Sequence, residues 1–101
     1  MMTRFEWDPA KAAANLRKHA ISFDIAMRVF ADPFALSNQT GIAGGERRWR
    51  TLGVVKGYLL LLVAHTTREK IEGGQPVEVF PIISARAADR KERKRYEQES
   101  R

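Results

Sequence analysis

"ERRWRTLGVVKGYLLLLVA" (residues 46–64) indicates a β-hairpin, and the rest of the fold can be placed around it. From residue 48 to residue 53, arginine or leucine alternates with Trp, Thr or Gly, which is the period of a half-buried strand. Lys56–Gly57 suits a tight turn, because glycine adopts positive φ without steric cost. Tyr58–Ala64 is apolar at successive positions, so we expect the second strand to be covered on both faces.

Two helices are predicted before the hairpin. Asp8–Pro9 is a helix start, because aspartate caps exposed amides and proline suits the first helical position. This helix should run to about His19. Ser22 caps a second helix with amphipathic spacing of its apolar residues, and Asp32–Pro33 ends it. One polar stripe is expected on the first helix, formed by Lys11, Asn15 and Lys18.

Two further strands are predicted outside the hairpin. Residues 34–36 indicate a short strand, and Val77–Ser84 indicates the last one. Pro81 lacks a backbone donor, which predicts a bulge or an edge position there. The glycine-rich residues 41–45 and the polar residues 68–76 are predicted to be loops.

The C-terminal segment predicts a last helix. Ser84 is its candidate cap, and the helix should end near Gln98. The sequence therefore predicts a single α+β domain over residues 1–101, in the order α-α-β-β-β-β-α. This fold has a mainly antiparallel sheet of about four strands, two N-terminal helices and one C-terminal helix.

Composition limits the kinds of function that the chain can have. The 101 residues carry a net charge of +6, which favours a polyanionic partner such as nucleic acid or an acidic protein. The sequence has no cysteine, which excludes disulfides, thiol nucleophiles and cysteine-based zinc sites. The longest apolar run, Tyr58–Ala64, is too short to span a bilayer, so we expect a cytoplasmic protein.

No motif for a metal or a nucleotide cofactor is present in the sequence. His19 and His65 are the only histidines, and no HExxH, DxD or acidic cluster accompanies them. The glycines of residues 41–45 match neither the P-loop nor the dinucleotide-binding pattern. The sequence therefore predicts no metal and no cofactor.

Basic residues lie near the ends of the predicted strands. Arg68 and Arg86 each lie just past a strand end, so in an antiparallel sheet they would be able to meet at one rim. Guanidinium groups held on a fixed surface suit phosphate recognition. Solvated rim charges are the alternative interpretation, and the sequence leaves both open. Three more arginines share one predicted strand: Arg47, Arg48 and Arg50.

Tyr96 and His65 have two interpretations each. Tyr96 lies four residues after Glu92 on the predicted last helix, so it would either act in chemistry or anchor that helix to the sheet. His65 lies at the end of a buried strand, where it would be either a proton-transfer group or a hydrogen-bonded structural histidine. Spacing alone does not decide between these interpretations.

Four blocks of the sequence resemble the BrnT toxins of bacterial type II toxin–antitoxin modules. They are "FEWDPAKAAANLRKHAISF" (5–23), "ERRWRTLG" (46–53), "LLVAHTTRE" (61–69) and "IISARAADRKERKRYE" (82–97), in the order of the family. The resemblance implies a RelE-like fold and ribonuclease activity. It also implies a BrnA-type antitoxin, encoded next to the toxin, that neutralises it and binds operator DNA on behalf of the complex.

The resemblance also implies roles for individual residues. RNA supplies its 2′-hydroxyl as nucleophile, so cleavage to a cyclic phosphate needs no metal, only alignment, charge stabilisation and proton transfer. Arg68 and Arg86 would stabilise charge, and Tyr96 and His65 would transfer protons or align the substrate. A neighbouring arginine pair would lower the tyrosine pKa toward a useful range. The residues expected to grip RNA are Lys11, Lys18, His19, Arg47 and Arg48.

The chain departs from the family pattern at two places. The chain has Ala20 where the family often has glycine, and residues 70–76 form a longer loop than the family pattern suggests.

Two rival functions would also use a basic surface. One rival is a non-catalytic nucleic-acid-binding module with the same basic face. The other is a protein-interaction domain whose basic surface serves an acidic partner.

Overall fold

A five-stranded sheet with three α-helices forms the fold in the computed structural model, which describes residues 2–99. The sheet order is β1-β5-β4-β3-β2, with β1 parallel to β5 and the other neighbours antiparallel. A 3₁₀ helix, Met27–Ala31, follows α2 directly. In chain order the elements are β1 (Met2–Glu6), α1 (Pro9–His19), α2 (Phe23–Ala26), β2 (Leu36–Ala43), β3 (Glu46–Val55), β4 (Leu59–Glu72), β5 (Gln75–Ala87) and α3 (Arg90–Glu99). No helix within these described residues has the length and apolar character needed to cross a membrane.

The predicted turn at Lys56–Gly57 and the predicted caps at Asp8 and Ser22 are confirmed. Lys56 and Gly57 have φ of 58° and 79°, and they join β3 to β4 as the predicted tight turn. The Asp8 carboxylate accepts from the Ala10 amide at 2.8 Å, and the Ser22 hydroxyl accepts from the Ile25 amide at 3.1 Å.

The helix α1 ends at the position where this chain departs from the family pattern. Ala20 adopts a left-handed conformation with φ of 59°, and its amide donates to the Leu16 carbonyl. Glycine adopts this conformation without a Cβ penalty, which gives a physical reason for a glycine at this place.

The predicted strand count was wrong, because the first strand was missed and the last two are longer than expected. Met2–Glu6 forms β1 and pairs in parallel with residues 77–81 of β5. Residues 68–76, predicted to be a loop, form the end of β4, a turn at Gly73–Gly74 and the start of β5. The polar side chains of this region form ion pairs, most of them between different strands. Here Arg68 pairs with Glu6, Lys70 with Glu6 and Glu72, and Arg4 with Glu72.

The inner face of the sheet carries the core beneath α2 and the 3₁₀ helix. Phe23, Ala26 and Val29 pack there against Leu61 and Val63, and all five are buried. Gly53 allows the close approach, because a Cβ at this position would lie 2.9 Å from both the Cβ and the carbonyl oxygen of Val29. The 3₁₀ helix therefore lies directly on β3 and brings Phe30 over the sheet.

Asn15 is buried against the edge of β5, which corrects its prediction as part of a polar stripe. The pairing of β1 with β5 ends at Pro81, so the backbone of Ala85 needs another partner on that side. The Asn15 carboxamide provides it, accepting from the Ala85 amide at 3.0 Å and donating to the Ala85 carbonyl at 2.9 Å. It also donates to the Ile21 carbonyl at 2.9 Å, and only 6% of Asn15 is exposed. One side chain thus replaces a strand at this edge and fastens α1 to the sheet.

Candidate active site

A groove of about 710 Å³ opens on the inner face of the sheet, beside the 3₁₀ helix. Its position follows from strand register: Trp49 is the cross-strand partner of His65, and Arg47 is the partner of Thr67. These four side chains therefore lie together on one face. Phe30 and Phe80 form the apolar wall, and we call this site the His65 groove. Its other charged lining residues are Glu46, Arg68, Glu69 and Glu78.

His65 lies at the floor of the groove, 3% exposed, with both ring nitrogens hydrogen-bonded. Nδ1 lies 3.2 Å from the Thr66 carbonyl oxygen, and Nε2 lies 2.7 Å from the Thr51 hydroxyl. Because a carbonyl only accepts, Nδ1 carries the proton and Nε2 accepts from Thr51. Burial lowers the pKa of His65 below its ordinary value of 6.5, so the ring is neutral at neutral pH.

Trp49 and the two phenylalanines give the groove flat apolar surfaces. The Trp49 indole donates to the Thr67 hydroxyl at 3.1 Å, which fixes the orientation of a half-buried ring. Phe30 and Phe80 stack with ring centroids 5.1 Å apart. The His65 and Phe30 rings meet edge to face, with centroids 4.9 Å apart. Aromatic faces of this kind suit the stacking of unpaired bases.

Two arginines line the groove with different electrostatic surroundings. Arg68 lies between two carboxylates, at 3.3 Å from Glu46 and in contact with Glu6, so its charge is largely balanced. Arg47 is exposed, and no ion pair of Arg47 is found within residues 2–99. Arg47 is therefore the guanidinium most available to an incoming phosphate.

Arg86 lies on the other face of the sheet, where it holds the start of α3. Both of its terminal nitrogens donate to Glu92, at 2.8 and 2.9 Å, and this pairing raises the pKa of Arg86 and lowers that of Glu92. Glu92 also accepts from the Asp89 amide at 2.9 Å, while Asp89 accepts from the Glu92 amide at 2.8 Å. This is a capping box, so Asp89 rather than the predicted Ser84 caps the last helix.

Tyr96 fastens the far end of α3 to the loop that follows the 3₁₀ helix. Its hydroxyl donates to Asp32 at 2.5 Å, and Asp32 also accepts from the Val54 amide at 2.8 Å. Burial, followed by the contact with Asp32, raises the pKa of Tyr96 to about 12. The expected lowering of this pKa by two arginines was therefore wrong, because the neighbour is a carboxylate.

Arg68 and Arg86 do not meet at one rim, which corrects a second expectation. In the ladder between β4 and β5, Arg86 is opposite Leu62 and Arg68 is opposite Val79. Leu62 and Arg68 are about 20 Å apart along β4 at roughly 3.4 Å per residue. The expectation failed because β4 continues past Arg68 instead of ending before it.

Of the residues expected to grip RNA, only Arg47 lines the His65 groove. Arg48 points to the opposite face of β3, since neighbouring strand residues alternate. Lys11 and Lys18 are exposed on α1, and His19 is half-buried at its end. Within residues 2–99, no three His, Asp or Glu side chains come together in a way that would hold a metal ion.

Comparison with known proteins gives the family of the chain. A sequence model of the BrnT ribonuclease toxins of type II toxin–antitoxin systems matches residues 7–92. The chain belongs to this family. The crystal structure of the Brucella abortus ribonuclease toxin BrnT is similar in fold, with a TM-score of 0.54 at 22% identity over 89% of this chain and 100% of that chain. No curated protein matched the sequence.

The BrnT match includes the whole His65 groove but ends before Tyr96. Three residues predicted for the site, His65, Arg68 and Arg47, line this groove, whereas Trp49, Thr51 and Ser37 were not predicted as site residues. The alternation of β3 contained part of the signal, because it placed Trp49 and Thr51 on one face. Ser37 had no signal, since the predicted short strand ended at residue 36.

Breaking the Arg86–Glu92 pair should lower stability in a pH-dependent way. Glu92 has a lowered pKa in the folded protein, so its stabilising contribution is present above about pH 4.5 and is lost as the pH falls through the folded value. We expect Glu92→Gln to lower the free energy of unfolding by about 1 kcal/mol at pH 7, through the lost ion pair and weakened cap. Urea unfolding at pH 7 and pH 3 measures this, and the deficit should shrink at pH 3.

The matched control for this pair is Glu97→Gln, an exposed carboxylate on the same helix. It should have little effect at either pH. A deficit of Glu92→Gln that stays constant between pH 7 and pH 3 would contradict the assigned role of the ionised carboxylate.

Proposed function

We propose that the His65 groove is the active site of a metal-independent endoribonuclease, which cleaves single-stranded RNA by attack of its own 2′-hydroxyl. The observation that carries the proposal is the buried, neutral His65 at the floor of a groove that also presents Trp49 and Arg47. Membership of the BrnT family supports the substrate class. The product is a 2′,3′-cyclic phosphate, because the nucleophile stays attached to the ribose.

The groove residues have complementary tasks in this reaction. Neutral His65 is a suitable proton acceptor, since its lowered pKa keeps it unprotonated at neutral pH. Arg47 binds the scissile phosphate and balances the charge that develops on it, and Arg68 assists when phosphate displaces its carboxylate partners. Trp49 stacks against a base and holds the strand extended across the groove.

Arg86 and Tyr96 contribute indirectly, by fixing the position of α3. Arg86 is engaged by both oxygens of Glu92, and the Tyr96 hydroxyl is committed to Asp32. A tyrosine with a pKa of about 12 is a poor general base near neutral pH. Their substitution should therefore change stability more than chemistry.

The exposed basic residues of α3 form a second surface, suited to an acidic segment of an antitoxin. They are Arg90, Lys91, Arg93 and Lys94. We assign to the chain a BrnA-type antitoxin partner, contact with operator DNA only through that partner, and a cytoplasmic place of action. A short neighbouring gene for a small DNA-binding protein would support this partner.

The purified protein, freed of antitoxin, should cleave single-stranded RNA in the presence of EDTA. Mass spectrometry of the fragments should find a 2′,3′-cyclic phosphate. An RNA with a single 2′-deoxy nucleotide at the scissile position should stay intact, because the nucleophile is gone.

Three outcomes would contradict this proposal. Strict dependence on added Mg²⁺ or Mn²⁺ would exclude the metal-independent mechanism. Cleavage of the 2′-deoxy substrate would point to water or a protein group as nucleophile. Tight binding without any cleavage would favour the non-catalytic binding module, whose basic surface on α3 is the same.

A further inference from the structure

Three side chains on three adjacent strands form a continuous hydrogen-bonded row that reaches from the buried histidine at the floor of the groove to an exposed serine in its lining. The Ser37 and Thr51 hydroxyl oxygens are 2.7 Å apart, and Thr51 Oγ1 is 2.7 Å from His65 Nε2. Ser37 and Thr51 are direct cross-strand partners of β2 and β3, and His65 lies diagonally opposite on β4. We call this row the hydroxyl relay (Ser37, Thr51, His65).

The relay has a defined direction, set by the Thr66 carbonyl. Because that oxygen requires the proton on Nδ1, Nε2 is left to accept from Thr51. The Thr51 oxygen can then accept from Ser37, whose proton points inward. The Ser37 oxygen is left with acceptor lone pairs, and Ser37 is exposed and lines the groove.

Because Thr51 and His65 are buried, Ser37 is the member of the relay that substrate can contact. Thr51 is 1% exposed and His65 is 3% exposed, so an RNA hydroxyl in the groove does not reach them directly. An isolated buried histidine would need only one hydrogen-bond partner per nitrogen, which Thr51 and Thr66 already supply. The additional hydroxyl at the surface extends the row to the place where substrate lies.

We propose that Ser37 accepts the proton of the RNA 2′-hydroxyl and that the hydroxyl relay passes a proton on to His65. This inference rests on the proposed ribonuclease function and deepens it. Ser37 is then a catalytic residue that touches substrate, and Thr51 is a positioning residue that connects it to the base.

The proton transfers balance along the row. The 2′-oxygen loses its proton to Ser37 Oγ as it attacks phosphorus, the Ser37 proton moves to Thr51 Oγ1, and the Thr51 proton moves to His65 Nε2. The P–O bond to the 5′-oxygen breaks, and this leaving oxygen takes a proton from water. The charged ring keeps its Nδ1 donation to Thr66, and it later returns its proton through the same row to solvent.

The other charged groups at the groove provide the rival base. Glu46, Arg47, Arg68, Glu69 and Glu78 also line it, and no hydrogen bond joins any of them to the relay among the described residues. With His65 as the base, the rate rises with pH below 6.5, because burial lowers the histidine pKa, and this rise depends on Thr51; with a carboxylate as the base, the pH profile would not change when Thr51 is replaced. The pH profile therefore separates the two.

The test compares variants of the relay in steady-state cleavage of a short oligoribonucleotide, with EDTA, from pH 4 to pH 9. We expect kcat to fall about 100-fold in Thr51→Val and about tenfold in Ser37→Ala, with KM little changed, because proton transfer by a positioned group contributes roughly 10²–10⁴-fold. The rise of the rate below pH 6.5 should disappear in Thr51→Val. Thr51→Ser and Ser37→Thr, which keep the hydroxyls, should retain most of the activity.

The control is Thr40→Val, which removes an exposed hydroxyl from the same strand as Ser37 and should cleave like the parent. Ser37 is exposed, so Ser37→Ala tests the relay even if Thr51→Val fails to fold. Parental kcat in Ser37→Ala, or an unchanged pH profile in folded Thr51→Val, would overturn the relay while leaving the ribonuclease function in place. Absence of cleavage by the parent protein would overturn both.

Discussion

His65→Gln should lower kcat for RNA cleavage by about 10²–10³-fold, which is the range for loss of a positioned proton acceptor. Glutamine can retain hydrogen bonds to its neighbours, but it does not take up a proton near neutral pH. Because His65 is buried beneath the groove, KM should change by less than about threefold. Single-turnover cleavage at saturating RNA measures the chemical step directly.

Lys94→Ala is the control for this loss, because it removes a positive charge from the exposed surface of α3. It should cleave at nearly the parental rate. If His65→Gln folds and cleaves like the parent, His65 is a structural histidine. If Lys94→Ala loses as much activity as His65→Gln, bulk charge governs the protein and the binding-module interpretation gains support.

Asn15→Leu should lower the free energy of unfolding by about 3–5 kcal/mol. Leucine is close in shape but leaves the Ala85 amide and carbonyl without their partner, and each buried unsatisfied group costs roughly 1–3 kcal/mol. The contact with the Ile21 carbonyl is lost as well. Urea unfolding followed by circular dichroism gives the value.

Arg17→Leu provides the matched comparison for Asn15→Leu, since Arg17 is an exposed position of the same helix. It should stay within about 0.5 kcal/mol of the parent. An equally small effect of Asn15→Leu would mean that the edge of β5 is satisfied in another way, and the role of Asn15 as a strand substitute would be wrong.

Features of the fold that depend on neighbouring residues were predictable from the sequence. The turn at Lys56–Gly57 and the caps at Asp8 and Ser22 follow from residue types a few positions apart. The first strand did not follow, because a short charged strand is stable only beside β5, where ion pairs from distant residues surround it. The predicted loop of residues 68–76 is instead the end of a hairpin, in which Glu72 is opposite Gln75 around the Gly73–Gly74 turn.

The candidate site was predictable only in part, for a related reason. His65 and Arg68 came from chemistry and family resemblance, and both line the groove. Arg68 was expected to meet Arg86 because β4 was predicted to end before Arg68. The strand instead continues to Glu72 as part of a long hairpin. Ser37 became visible only through the register of β2 against β3, since that pairing brings its hydroxyl to Thr51.

The most direct test of RNA cleavage in the His65 groove is to locate bound RNA by NMR, using an oligonucleotide with 2′-deoxy at the scissile position so that it binds without being cut. We expect the largest chemical-shift changes at the Trp49 indole N–H and the His65 ring, with Arg47 close behind and small changes along Arg90–Glu99. Changes confined to Arg90–Glu99, with Trp49 and His65 unaffected at saturation, would contradict the placement of RNA cleavage in the His65 groove.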